Sequence, residues 1–218
     1  MLESIRSLDR DVGRIIGALR DRGVLDNTIV VFASDNGFIW GEHRLLSKTW
    51  PYEESIRVPL VIRTPWTTHP VTDDRLVANI DMAPTFADLA GVTPGLPEDG
   101  RSLVPLLRGE HPPWRHDLLI EWEGRDVAFR GGPTRYLALH TDRYVWVEYD
   151  SAWRELYDLQ RDPYELQNIA RDRRYLGLRR RLNLRMHALY RESCRRAPCV
   201  TPQPAANSAE SPLGPDTG

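Results

Sequence analysis

The stretch Ser34-Asp35-Asn36-Gly37 has residue types whose order could do chemistry. Asp35 offers a carboxylate and Asn36 an amide oxygen, hard donors that suit Ca²⁺ or Mg²⁺ better than zinc. Gly37 lets the backbone turn sharply behind them. The same triplet is also a common turn, because aspartate, asparagine and glycine all favour turn geometry for reasons unrelated to metals. On the triplet alone both readings stand.

The element that must position this stretch is Thr28-Ile29-Val30-Val31-Phe32-Ala33, an apolar and β-branched run that predicts a strand buried on both faces. Asp35 then sits at the carboxyl end of the strand, where open α/β sheets place their ligands. Upstream, Ile5, Leu8, Val12, Ile15, Ile16 and Leu19 recur at helical spacing, with Arg6, Asp9, Arg10, Arg14 and Arg20 opposite. They predict an amphipathic helix that begins almost at Met1 and stops at Gly23. A helix leading directly into a buried strand is half of a βαβ unit with no earlier strand for the helix to cross from, so the chain is expected to open inside a fold.

Downstream, Val58 to Arg63 predicts a second apolar strand, with Pro59 at its start or on an edge. Asp81 to Ala90 predicts a helix with Pro84 in its first turn and Gly91 just past its end. Leu103 to Leu107 predicts a helical turn closed by Gly109. From about Pro112 the pattern alternates, as in Leu118 to Trp122 and Tyr144 to Tyr149, which predicts antiparallel strands. Tyr175 to Arg191 predicts a basic helix with Leu178, Leu182 and Met186 on one face and its arginines in solvent. Residues after Val200, rich in Pro, Ala, Ser and Gly, read as a disordered tail.

Composition narrows the function classes. The chain has 218 residues, 41% hydrophobic and 28% charged, enough apolar surface for one domain with a small appendage. A net charge of −2 from 29 basic and 31 acidic residues lacks the basic excess of a nucleic-acid binder, so an anion site must be local. No apolar run is long enough to span a membrane and the first ten residues lack a signal-peptide core, so the chain as written is expected in the cytoplasm. The two cysteines, Cys194 and Cys199, exclude a disulfide scaffold and leave their own pairing open.

In order and spacing, Ser34-Asp35-Asn36-Gly37, Gly41-Glu42-His43, Lys48 and Tyr52-Glu53-Glu54-Ser55-Ile56-Arg57-Val58-Pro59-Leu60 resemble a metal-and-sulfate segment of type I sulfatases. The resemblance continues through Asn79 to Thr85, Asp88 to Gly91, Asp99 to Leu103, Glu155 to Leu159, Asp162 to Glu165 and Asn168. Cys194 and Cys199 are similar to the paired cysteines that end the branch resembling bacterial N-acetylglucosamine-6-sulfatases. The resemblance implies an α/β fold: an incomplete alkaline-phosphatase-like sandwich over residues 1–111, followed by a small α+β subdomain over 112–199 and the tail over 200–218. It makes Asp35 and Asn36 ligands of one divalent cation, Ca²⁺ rather than Mg²⁺, and Lys48 the sulfate-contacting lysine. His43 would line the pocket and act on the leaving group, a role its intrinsic pKa suits.

The family's nucleophile is a formylglycine made from the first residue of a Cys-x-Pro-x-Arg or Ser-x-Pro-x-Arg motif, and these 218 residues contain neither. The further metal-binding aspartates of the family are also absent, so both are expected on an upstream segment, and the chain alone is expected to be inactive. Three readings follow. The first is a sulfuric ester hydrolase acting on a sulfate ester of a small molecule or saccharide, such as a sulfated amino sugar. The second is a non-catalytic remnant that binds an anion or a partner; the joint presence of Asp35, Asn36 and Lys48 argues against it. The third is a phosphate or phosphonate ester hydrolase of the same superfamily, for which two metals rather than one would speak.

Overall fold

Helix α1 (Leu2–Asp21) forms where the apolar period predicts it and gives way to a turn at Gly23, whose φ of 66° suits a residue without a side chain. The computed structural model describes residues 2–124 and 135–196. The tail after Val200 and Cys199 lie outside them, whereas Cys194 is disulfide-bonded. Only part of the apolar face of α1 is covered: Ile5, Leu8 and Ile15 are about half exposed.

Strand β1 (Val30–Ala33) confirms the predicted strand but corrects its surroundings. No residue in it is fully buried, and it pairs antiparallel with β4 (Leu60–Arg63), Val30 opposite Arg63 and Ala33 opposite Leu60. A short apolar run identifies a strand; it does not say which way the partner runs or how many faces are covered. Between them lie the short strands β2 (Ile39–Trp40) and β3 (Leu46–Ser47), paired as a hairpin, and the one-turn helix α2 (Glu53–Ile56). Pro59 sits just ahead of β4, where its missing N–H costs no ladder bond. Helix α3 (Met82–Ala90) ends at Gly91 in the left-handed conformation, and the single turn α4 (Val104–Leu107) follows.

Strands β5 (Asp117–Trp122), β6 (Tyr136–Thr141), β7 (Tyr144–Tyr149) and β8 (Arg154–Asp158) form one antiparallel sheet in sequence order. Helix α5 (Leu176–Arg196) packs on one face: Leu182 and Met186 bury against Leu139, Trp146 and Leu156, with Leu178 at the margin. Period-two alternation sends Tyr136, Ala138, Val145, Val147 and Tyr149 to the other face. That second face meets the segment from Ile39 to Tyr52: Ile39 and Tyr52 share a core with Tyr157. The three sheets with their helices place the chain in the α/β class. Among the described residues no helix is long and apolar enough to cross a membrane.

Candidate functional site

Asp35 and Asn36 follow β1 directly, and a short network fixes the loop that holds them. The Ser34 hydroxyl donates to the Asn36 carbonyl at 2.9 Å, and the Asn36 N–H donates to Asp35 Oδ1 at 2.9 Å. The Asn79 side chain, from a 3₁₀ turn before α3, donates to the Asp35 carbonyl at 2.8 Å. That turn is anchored by Asp81, fully buried, whose carboxylate accepts from the N–H groups of Ala78 and Arg101 and from the Arg115 guanidinium at 2.5 Å. Behind the loop the Gly37 N–H donates to the Ser55 carbonyl at 2.8 Å. A Cβ on Gly37 would lie 2.1 Å from the Glu54 carbonyl oxygen, so the glycine is required by this close approach.

Lys48 arrives from the β2–β3 hairpin. Its ammonium donates to Asn36 Oδ1 at 3.0 Å, bringing together residues 12 positions apart. The hairpin that delivers it is strained: His43, Arg44 and Ser47 all have φ between 54° and 146°, a region costing roughly 1–3 kcal/mol for each non-glycine residue. Compensation comes from the fully buried Ile39 at one end and from His43, whose ring stacks on Tyr52 at 3.9 Å between centroids.

The structure therefore brings Asp35, Asn36 and Lys48 together and places His43 in a different cluster. The His43 side chain is 10% exposed and its Nε2 lies 3.4 Å from Glu54 Oε2. Glu165, from the turn after β8, completes that cluster, with one oxygen accepting the Glu53 N–H at 2.7 Å. Burial pushes the Glu165 carboxyl up to about 8, against the stabilising Glu53 N–H and with help from the nearby charges of Glu53, Glu54 and Glu155. For Glu53 burial acts in the same sense, yet the His140 hydrogen bond and charge and the Arg57 charge leave it below the ordinary carboxylate range. Burial also raises Glu155, despite the hydrogen bonds donated by Trp153, Tyr149, Tyr52 and Tyr157.

One carboxylate and one amide oxygen suit a hard divalent cation, and Asp35, exposed and at a loop tip, can reach one. Two such ligands are well short of the six to eight oxygens that Ca²⁺ takes. The sequence reading missed the supporting residues. Asn79 and Asp81 lay within a resembling motif without a role, and Glu165 became a partner of His43 only once the fold brought together residues more than a hundred positions apart.

Residues 41–192 match the family described as N-sulphoglucosamine sulphohydrolase, C-terminal. The chain belongs to the sulfatase family. It is 34% identical to N-acetylglucosamine-6-sulfatase of Capra hircus over 92% of its own length and 41% of that protein. It is also 34% identical to N-acetylglucosamine-6-O-sulfatase of Bacteroides thetaiotaomicron, over 77% of the chain and 31% of the relative. Among solved structures, a complex with the substrate D-glucosamine-2-N,6-O-disulfate superposes with a TM-score of 0.76 at 29% identity, covering 89% of the chain and 40% of that protein. The phosphonate monoester hydrolase of Agrobacterium radiobacter superposes with a TM-score of 0.77 at 31% identity, covering 86% and 40%. This sulfatase-family chain thus spans about three to four tenths of the length of these relatives.

Proposed function

We propose that the chain supplies the cation and sulfate contacts of a sulfuric ester hydrolase acting on a sulfated amino sugar. The observation that carries this reading is the 3.0 Å contact between the Lys48 ammonium and Asn36 Oδ1, which puts a compact cation against the amide oxygen of the residue next to Asp35, at the end of β1. Asp35 and Asn36 would hold one divalent cation, Ca²⁺ ahead of Mg²⁺, which when bound polarises the sulfate and offsets its charge. Lys48 contacts a sulfate oxygen and stabilises the charge that redistributes as the S–O bond breaks. Asn79 holds the Asp35 backbone, and the strained hairpin fixes the reach of Lys48. His43 takes no part in leaving-group chemistry in this reading, because its ring is stacked on Tyr52. The formylglycine nucleophile and the remaining metal ligands belong to a segment other than these 218 residues. The amino-sugar class is supported by the N-acetylglucosamine-6-sulfatase relatives and by the disulfated glucosamine in the superposing complex.

A second reading, phosphonate ester hydrolysis, is favoured by the equally good superposition on the Agrobacterium radiobacter enzyme. The test is kinetics on a polypeptide that joins this chain to a formylglycine-bearing segment. With a glucosamine 6-sulfate ester, Lys48→Ala should lower kcat by roughly 100-fold or more. Wild-type turnover by that variant would remove Lys48 from the sulfate site, and faster hydrolysis of an aryl phosphonate than of the sulfate ester would favour the second reading.

A further inference from the structure

We propose that His43, Glu54 and Glu165 form a second divalent-cation site, separate from Asp35 and Asn36 and of the one-imidazole, two-carboxylate kind that takes Zn²⁺. The three residues come from the β2–β3 hairpin, from α2 and from the turn after β8, and each offers a ligand atom within 4.8 Å of the others.

Among the described residues, one oxygen of Glu165 and one of Glu54 have no hydrogen-bond partner. Glu165 is 2% exposed; with one oxygen on the Glu53 N–H, its Oε1 is buried without a hydrogen bond. Glu54 Oε2 is likewise buried and unbonded, because the 3.4 Å approach of His43 Nε2 does not make a hydrogen bond. A buried carboxylate oxygen without a donor is costly, and two such oxygens beside one imidazole call for a shared positive charge. Nearby cations are already engaged: His140 pairs with Glu53 at 2.8 Å, and Arg57 reaches Glu53 from an 81% exposed position. Glu53 and Glu155 add further negative charge around Glu165.

The donor set selects the ion. A nitrogen ligand and only three protein ligands suit Zn²⁺, which binds imidazole nitrogen and carboxylate oxygen at about 2.0–2.2 Å and accepts a water as its fourth ligand. Ca²⁺ requires six or more oxygens. At those bond lengths, tetrahedral ligands stand roughly 3.4 Å apart, so a modest rotation of the glutamate side chains closes the site. The bound ion would tie the strained hairpin that carries Lys48 to the sheet of β5 to β8. It would also give the left-handed backbone of His43 and Glu165, at φ 54° and 53°, a common purpose. This site depends on neither the sulfatase chemistry nor the identity of the substrate.

The experiment titrates the metal-stripped 218-residue protein with Co²⁺, whose d–d absorption is intense when four-coordinate, and then with Zn²⁺ and Ca²⁺. One equivalent of Co²⁺ should give intense visible bands that Zn²⁺ abolishes and Ca²⁺ leaves unchanged. Glu165→Gln and, separately, Glu54→Gln should each weaken Co²⁺ uptake at least tenfold, whereas Asp35→Ala should retain it. Absence of four-coordinate bands in the unsubstituted protein would overturn the proposal and leave a proton as the group shared by the two carboxylates. Bands that survive both glutamine substitutions would overturn it equally, by placing the metal elsewhere.

Discussion

The Tyr52 hydroxyl donates to Glu155 Oε1 at 3.3 Å, joining residues 103 positions apart inside the core. Trp153 Nε1 and the Tyr149 hydroxyl donate to the same carboxylate at 3.0 and 3.2 Å, so the segment before α2 is held to the far face of the four-stranded sheet through one buried acid. Burial raises the Glu155 carboxyl above its ordinary value of 4.5, the donors only partly opposing it. The folded state therefore binds this proton more tightly than the unfolded chain does. The stability that follows is fully present below about pH 4.5 and is lost as pH rises through the folded-state value, at up to about 1.4 kcal/mol per pH unit. Glu155→Gln should flatten that part of the profile, as read from urea midpoints between pH 4 and 9. An unchanged slope would show that Glu155 is not its source.

Gly37→Ala should destabilise the protein by about 1–3 kcal/mol through overpacking alone, since a Cβ there meets the Glu54 carbonyl oxygen. Relief of the clash must move either the Asn36 loop or α2. Thermal melts report the first effect, and a weakened Lys48–Asn36 contact should appear as a changed Asn36 side-chain amide shift by NMR. A variant as stable as the parent would mean that the loop and α2 separate freely.

Asp81→Ala should cost about 3–5 kcal/mol, because it leaves the Arg115 guanidinium, 8% exposed, without its carboxylate. Asp81→Asn should cost less, as an amide oxygen in the place of Oδ1 still accepts two of the three hydrogen bonds, from Arg101 and Arg115. Denaturant unfolding measures both, and equal losses would argue that the charge is immaterial.

Met186→Ala should cost about 2–5 kcal/mol, since Met186 is fully buried between α5 and the sheet. Chemical unfolding checks this. A loss under 1 kcal/mol would imply that the layer collapses around the vacated space.

The 218-residue chain should bind Ca²⁺ no more tightly than about 10⁻⁴ M, because Asp35 and Asn36 supply only two of the ligands that the ion needs. Asp35→Ala should abolish even this binding. A tight one-to-one isotherm in calorimetry would reveal ligands other than these two.

Much of this was legible before the structure. Leu178, Leu182 and Met186 mark the buried stripe of α5 because a helix repeats every 3.6 residues, and Gly91 marks the end of α3 because only that backbone geometry closes it. The pairing of β1 was not legible: Val30 to Ala33 read as a doubly buried strand, whereas its partner is the antiparallel β4, and direction leaves no trace in composition. The meeting of Asp35, Asn36 and Lys48 was anticipated through family resemblance, not through any local period. The cluster of His43, Glu54 and Glu165 could not be read at all, since three residues spread over the chain become neighbours only through the hairpin, α2 and the turn after β8.

The alternation along β6 sorts its residues by parity. Leu137 and Leu139 go to the helix side, while Tyr136, whose hydroxyl donates to the Thr49 carbonyl, and His140, paired with Glu53, go to the hairpin side. Inserting or deleting one residue inside β6 would exchange the two sets, placing leucines against Glu53 and a histidine within the apolar layer. Related chains can therefore be expected to differ in length within this strand only by even numbers, with odd changes confined to the connections on either side.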